Sequence, residues 1–216
     1  MFHVEHLQLS RHKVSRETFE NNAQIYAEHE SRLELYINQL LWWNKRINLV
    51  SRSASKKELK EHLRHSLLPL SFNWWNPDHL PIVDTGTGGG LPGIPLAIAD
   101  KNHTYTLNDI VQKKMLGVEQ IIHQLKLQNA KTFSGSIEEY RTEDPFILIS
   151  KHAFKIPDLL SLISHLPWEE IILYKGADLQ EEVQDMTTDY AVKIYELEYG
   201  TDHDFYRGKV LVRILK

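Results

Sequence analysis

The stretch DTGTGGGLPGIPLAIAD, residues 84–100, decides how this sequence is read. Gly86, Gly88, Gly89 and Gly90 fall within five positions, Pro92 and Pro95 follow, and an apolar run comes next. Glycine weakens regular structure, so such crowding marks a sharp turn or a close approach of the backbone to a ligand. The flanks give the turn its place. LPIVDT before it reads as a short buried strand, and IPLAIADK after it reads as a helix. A turn of this kind is where an open α/β sheet binds ligands, beyond the carboxyl end of a strand.

Working outward, TYTLND, AKTFSG, PFILIS and EEIILYKG read as further strands. Helices are predicted between them over residues 113–127, 157–166 and 177–188. Strands alternating with helices through short connections predict an α/β fold with a parallel sheet covered on both faces. Two last strands, 191–199 and 209–215, have no helical pattern between them, which predicts an antiparallel strand at one edge. On the amino-terminal side, helices are predicted over residues 15–45 and 55–70. Ser55 with Glu58 three positions later makes a capping-box pattern. Asn76-Pro77 breaks the second helix, and residues 1–14 have weak periodicity and are expected to be loosely ordered. A small helical extension, residues 1–78, therefore precedes the α/β region, residues 79–216.

The 216 residues are 42% hydrophobic, enough for one substantial core. There is no cysteine, which excludes disulfides and thiolate metal sites. No apolar run is long enough to span a bilayer, and MFHVEHLQLSRHKVSRE lacks the apolar stretch of a signal peptide. A cytoplasmic, monomeric protein without a membrane partner is expected. The net charge of −4 hides an asymmetry. Residues 1–80 hold 11 Lys and Arg against 9 Asp and Glu, and residues 81–216 hold 14 against 20. Within residues 45–64 the bases Lys45, Arg46, Arg52, Lys56, Lys57, Lys60 and Arg64 face only Glu58 and Glu61. Such a cluster is either a phosphate-contacting patch or a solvated face.

The glycine spacing discriminates among ligands. A phosphate-binding P-loop ends in Gly-Lys-Ser/Thr, and no lysine lies between Asp84 and Asp100. A dinucleotide site wants G-x-G-x-x-G, whereas Gly86-x-Gly88-x-Gly90 puts Leu91 at the third position. An acid before the glycines and another about twenty residues on, Asp109 in LND, suit S-adenosyl-L-methionine. Asp84 can meet its amino-acid end, Gly86 and Gly88 let the backbone come close, and Asp109 can accept from the ribose hydroxyls. A structural glycine turn without a ligand is the competing reading.

Several blocks then resemble one family. VDTGTGGGLPGIPLAI is similar to the signature of the glucose-inhibited division protein B family of bacterial ribosomal RNA methyltransferases. WWNKRINLVS resembles that family's WNKxxNLT block, EHLRHSL its HxxDS block and LNDIVQKK its LLDSxxKR block. SGSIEEY, ILISKHAF and ILYKG resemble the remaining blocks, in the same order, across roughly residues 31–180. The resemblance implies a class I, Rossmann-like methyltransferase fold. It implies methyl transfer from S-adenosylmethionine to N7 of a guanine in 16S ribosomal RNA, within the small subunit or an assembly intermediate. Carried over by position, the cofactor contacts are Gly86, Leu91, Ile137, Glu138 and Lys151. Lys151 stands where the family usually has Arg, and His65 where it commonly has Asp.

N7 of guanine carries a lone pair and no proton, so its methylation needs no general base and no catalytic residue in the strict sense is expected. Lys45, Arg46, Lys56, Lys57, Lys60, Arg64 and Lys175, the last at a strand end, are the candidate RNA contacts. His62 and His65, three positions apart on a helix, lack a third metal ligand, and His62 and Ser66 are expected to pack or hydrogen-bond between extension and main domain. A small-molecule methyltransferase using the same loop, and a ribosome-binding protein with a decayed loop, are the alternative readings.

Overall fold

The computed structural model describes residues 8–75, 80–184, 190–198 and 204–216. The Asn76-Pro77 break, residues 1–7, Tyr199 and positions 185–188 of a predicted helix lie outside them. The strands are β1 (Gln8–Lys13), β2 (Ile82–Thr85), β3 (Tyr105–Asp109), β4 (Ala130–Ser134), β5 (Phe146–Lys151), β6 (Trp168–Gly176), β7 (Ala191–Glu196) and β8 (Lys209–Leu215). The helices are α1 (Arg16–Asn44), α2 (Lys56–Leu67), α3 (Gly93–Ala99), α4 (Gln112–Gln124), α5 (Ile156–Leu162) and α6 (Gln180–Gln184).

Both amino-terminal helices begin where the sequence supplies a cap. The Ser15 side chain accepts from Thr18 N–H, and Ser55 and Glu58 satisfy each other's backbone in a complete capping box. Leu33, Tyr36, Ile37 and Leu40 of α1 meet Leu59, Leu63 and Leu67 of α2 in one apolar cluster with α3, α4 and one sheet face. The other face carries α5 and α6. Alternation along β5 shows the division: Ile147 and Ile149 belong to the first cluster, Phe146 and Leu148 to the second.

The eight strands run in the order β1-β7-β8-β6-β5-β2-β3-β4, with β8 alone antiparallel to its neighbours. Two expectations are corrected here. The antiparallel strand is not at an edge but between β6 and β7. Its apolar residues Val210, Leu211, Val212 and Ile214 are buried on both faces, which an interior position satisfies. The edge is taken by β1, from the segment expected to be loosely ordered, which pairs in parallel with β7. QLSRHK is almost wholly exposed, and its bases suit an edge strand.

Candidate functional site

The glycine turn leaves the carboxyl end of β2, where the strand order reverses between β5 and β3. Two of its glycines answer the question their crowding raises. Gly86 has φ +69°, and a Cβ there would stand 2.4 Å from Ala153 Cβ. Gly90 has φ +101°, and a Cβ would stand 2.5 Å from Ile94 Cδ1. Both conformations are left-handed and both approaches admit no side chain. The turn is therefore tight for the protein's own packing. Gly88 differs: the nearest atom to a Cβ there is the Leu49 carbonyl oxygen, at 3.5 Å.

Asp84 organises the turn from beneath. Its Oδ2 accepts from Thr87 Oγ1 at 2.5 Å and from Gly93 N–H at 2.8 Å. The residue is wholly buried, and its Oδ1 has no partner. Burial pushes its carboxyl up to about 7, against the pull of the two hydrogen bonds. A buried acceptor left open is costly unless a donor arrives.

From the neighbouring strand, Asp109 Oδ2 accepts from Gly88 N–H at 3.1 Å and Oδ1 accepts from Val111 N–H at 2.9 Å. Lys114 Nζ lies 3.6 Å from Oδ2. Ile110 beside it is 73% exposed and Val111 is also exposed, so an apolar surface adjoins a carboxylate. None of the candidate residues named from the sequence marks this surface, although LNDIV spells it directly after the acid. Asn108 Nδ2 donates to the Phe133 and Gly135 carbonyls and ties the end of β4 to β3. Ile137 and Glu138 follow in a single 3-10 turn, with Ile137 buried and Glu138 N–H donating to Ser136 Oγ. Leu91, partly buried, packs on the main cluster.

Lys151 ends β5 and reaches into the extension. Its Nζ donates to the His62 carbonyl at 3.0 Å and to Ser66 Oγ at 3.3 Å, and Tyr174 O–H donates to the Ser66 carbonyl at 2.6 Å. Burial pulls the Lys151 ammonium down to about 7, while Asp84 supports its charge. His65 is wholly buried against Tyr174, Phe205 and Tyr206, and neither ring nitrogen has a partner. Histidine gives no sign of this in a sequence, because only the fold decides whether its nitrogens find acceptors.

The basic candidates divide. Lys175 is corrected: its Nζ donates to the Phe154 carbonyl and to both Glu182 oxygens at 2.7–2.8 Å, and it is buried, so it is not presented to RNA. Lys56 and Lys60 each lie 2.5 Å from Glu34, and Arg64 lies 2.7 Å from Glu61. Lys45, Arg46 and Lys57 are exposed. Asp84, Gly86, Gly88, Leu91, Asp109, Ile137, Glu138 and Lys151 are thus gathered around the carboxyl ends of β2 to β5.

Residues 29–202 match the family described as GidB, rRNA small subunit methyltransferase G. A protein named ribosomal RNA small subunit methyltransferase G from Shewanella sp. (strain W3-18-1) is 34% identical, covering 83% of this chain and 87% of that protein. The protein of that name from Christiangramia forsetii is 33% identical, covering 79% and 82%. Among solved structures, an O-methyltransferase from Bacillus cereus in complex with SAH superposes with a TM-score of 0.54 at 16% identity, covering 84% of this chain and 90% of that one. A precorrin-6y C5,15-methyltransferase from Geobacter metallireducens gives 0.53 at 12% identity, covering 77% and 94%. These two likenesses show the class I methyltransferase fold.

Proposed function

From the premise that this chain belongs to the GidB family, rRNA small subunit methyltransferase G, we propose that it transfers a methyl group from S-adenosylmethionine to N7 of a guanine in 16S ribosomal RNA. The observation that carries the cofactor assignment is the glycine turn with the open Oδ1 of Asp84 buried beneath it. A cationic ammonium group is the donor such an atom lacks. Asp109 offers its remaining lone pairs to ribose hydroxyls, and exposed Ile110 offers an apolar face to the adenine. Gly86, Gly88 and Leu91 shape the turn around the cofactor, Ile137 and Glu138 border the base, and Lys151 supplies positive charge for its carboxylate.

When bound, the cofactor supplies an electrophilic methyl on a sulfonium. The protein's own task is to align it with N7, whose lone pair forms the new bond without a proton leaving. Alignment alone supplies much of the acceleration. Residues 1–78 present the basic face to RNA, and residues 79–216 hold the cofactor. With a net charge of −4, the protein binds naked RNA more weakly than the protein-bearing small subunit, which it prefers.

The test uses radiolabelled S-adenosylmethionine with small subunits lacking the modification, their stripped RNA, and a small-molecule extract. Label in one guanine of the subunit RNA, well above that in stripped RNA, is the expected result. Label confined to the extract would make the chain a small-molecule methyltransferase instead.

A further inference from the structure

The turn between α1 and α2 carries three exposed cations, of which the fold orients the two arginines without neutralising them. The Arg46 guanidinium lies 3.5 Å over the exposed Trp42 ring and donates to the Trp42 carbonyl at 2.9 Å. Arg52 donates to Asn48 Oδ1 at 2.9 Å. Lys45 is exposed beside them. Among the described residues none of the three makes an ion pair with a carboxylate, and both arginine acceptors are uncharged. The two arginine side chains lose freedom in advance and are not neutralised. That combination favours an incoming anion, because less ordering remains to be done on binding.

α2 shows the opposite arrangement a few residues later. Glu34 sits between Lys56 and Lys60, and Glu61 holds Arg64, whose guanidinium also covers the Tyr26 ring. A cation already facing a carboxylate adds little field for a phosphate. Lys57 is exposed but is not part of the cleft that the three free cations line with Leu41, Asn44 and Asn48. That cleft is open and holds about 610 Å³.

Asn44 joins the cleft to the glycine turn. Its Oδ1 accepts from Leu49 N–H at 2.8 Å and Val50 N–H at 3.0 Å, and its Nδ2 donates to the Ser51 carbonyl at 3.3 Å. Leu49, so held, is the residue packed over Gly88 and Gly89. The cleft therefore stands one residue's thickness from the cofactor turn.

We infer that the cleft of the α1–α2 turn, and not the face of α2, grips the phosphodiester backbone of the RNA, through Lys45, Arg46 and Arg52. This rests on the reading that the substrate is RNA. It narrows the seven bases of residues 45–64 to three and sets Arg52 beside Lys45 and Arg46 as an RNA contact. Each contact releases counterions, so the steepness with which affinity falls with salt counts the phosphates held.

The experiment follows labelled polyuridylate RNA by fluorescence anisotropy over a salt series with the full chain. The triple variant Lys45→Gln, Arg46→Gln, Arg52→Gln should reduce the slope of log affinity against log salt by about 2, at roughly 0.7 per phosphate for single strands. The double variant Lys56→Gln, Lys60→Gln should keep the original slope. Both should bind S-adenosylhomocysteine calorimetrically as the unaltered chain does, which shows that the turn is still folded. An unchanged slope in the triple variant, an equal loss in the double variant, or no RNA binding by the unaltered chain at the lowest salt overturns the inference. So does tighter binding of phosphatidylglycerol vesicles than of RNA. If the unaltered chain binds RNA with the expected slopes yet methylates no ribosomal RNA, the proposed reaction fails and the cleft stands. If it methylates subunits while the triple variant keeps its slope, only the cleft fails.

Discussion

Two buried aspartates serve opposite ends of the parallel sheet, and the structure treats them differently. Asp100, where the chain turns from α3 towards β3, is saturated. Its Oδ2 accepts from Trp75 Nε1 and Tyr105 O–H and bonds His103 Nδ1 at 2.6 Å, and its Oδ1 accepts from Asn102 N–H. Asn129 Nδ2 closes the same corner by donating to the carbonyls of Ala97, Asp100 and His103. Burial pushes the Asp100 carboxyl up, but the bonds from His103 and Asn102 outweigh it and leave the group below its ordinary value. At the other end, Asp84 keeps one oxygen open and His65 keeps two nitrogens open. One end is finished as architecture. The other stores unmet hydrogen-bonding demand, which a stable fold tolerates where a ligand meets it.

The largest expected effect would break this contrast if it failed. Asp84→Asn should weaken S-adenosylhomocysteine binding about 100-fold, as for loss of a hydrogen bond to a charged group. Asp100→Asn should instead lower unfolding stability by about 2 kcal/mol while cofactor affinity stays within about twofold. Calorimetry and denaturant unfolding on both variants decide it; a comparable affinity loss in Asp100→Asn would make the two ends equivalent.

An intermediate effect lies in acid. Burial, with Lys151 and His152 nearby, holds His62 down to about 4 and His65 below its ordinary value. Both are neutral when folded and take up protons on unfolding below 6.5. Their contribution is complete above 6.5 and is lost as pH falls towards about 4. Asp84, held up to about 7 by burial, adds stability as pH falls towards 3.8, so the readout is the difference between chains: His65→Leu should lose less melting temperature through the window than the unaltered chain. The Asp100 corner, with its depressed carboxyl, gives way only below 3.8, so a single transition confined below 3.8 would contradict the assignment. The smallest effect is local: S-adenosylhomocysteine should slow amide exchange at Thr87 and Gly88 and leave Asn102 and Tyr105 unchanged. Equal slowing at both ends would mean that the whole sheet stiffens on binding.

Most of the architecture was legible because it is written in local periodicity. The capped helices, the apolar strands and the glycine turn each announce themselves within a dozen residues. What was illegible depends on residues far apart in the chain. Glu34 pairs with both Lys56 and Lys60 from another helix, and Glu182 removes Lys175 from the surface. A base count sees neither. Likewise the weak periodicity of QLSRHK reads as loosely ordered until the edge of β7 is there to pair with it.

That strand has a consequence for how the protein is made. Arg11 of β1 bridges Glu196 of β7 across 185 positions, and Val14 N–H donates to the Glu196 carbonyl. During synthesis from the amino end, Arg11 of β1 emerges 185 positions ahead of the residue it pairs with. The sheet cannot acquire its outer strand until β7 has been made, because contacts between distant segments form late. This enzyme holds an unpaired first strand through the synthesis of most of its own sheet.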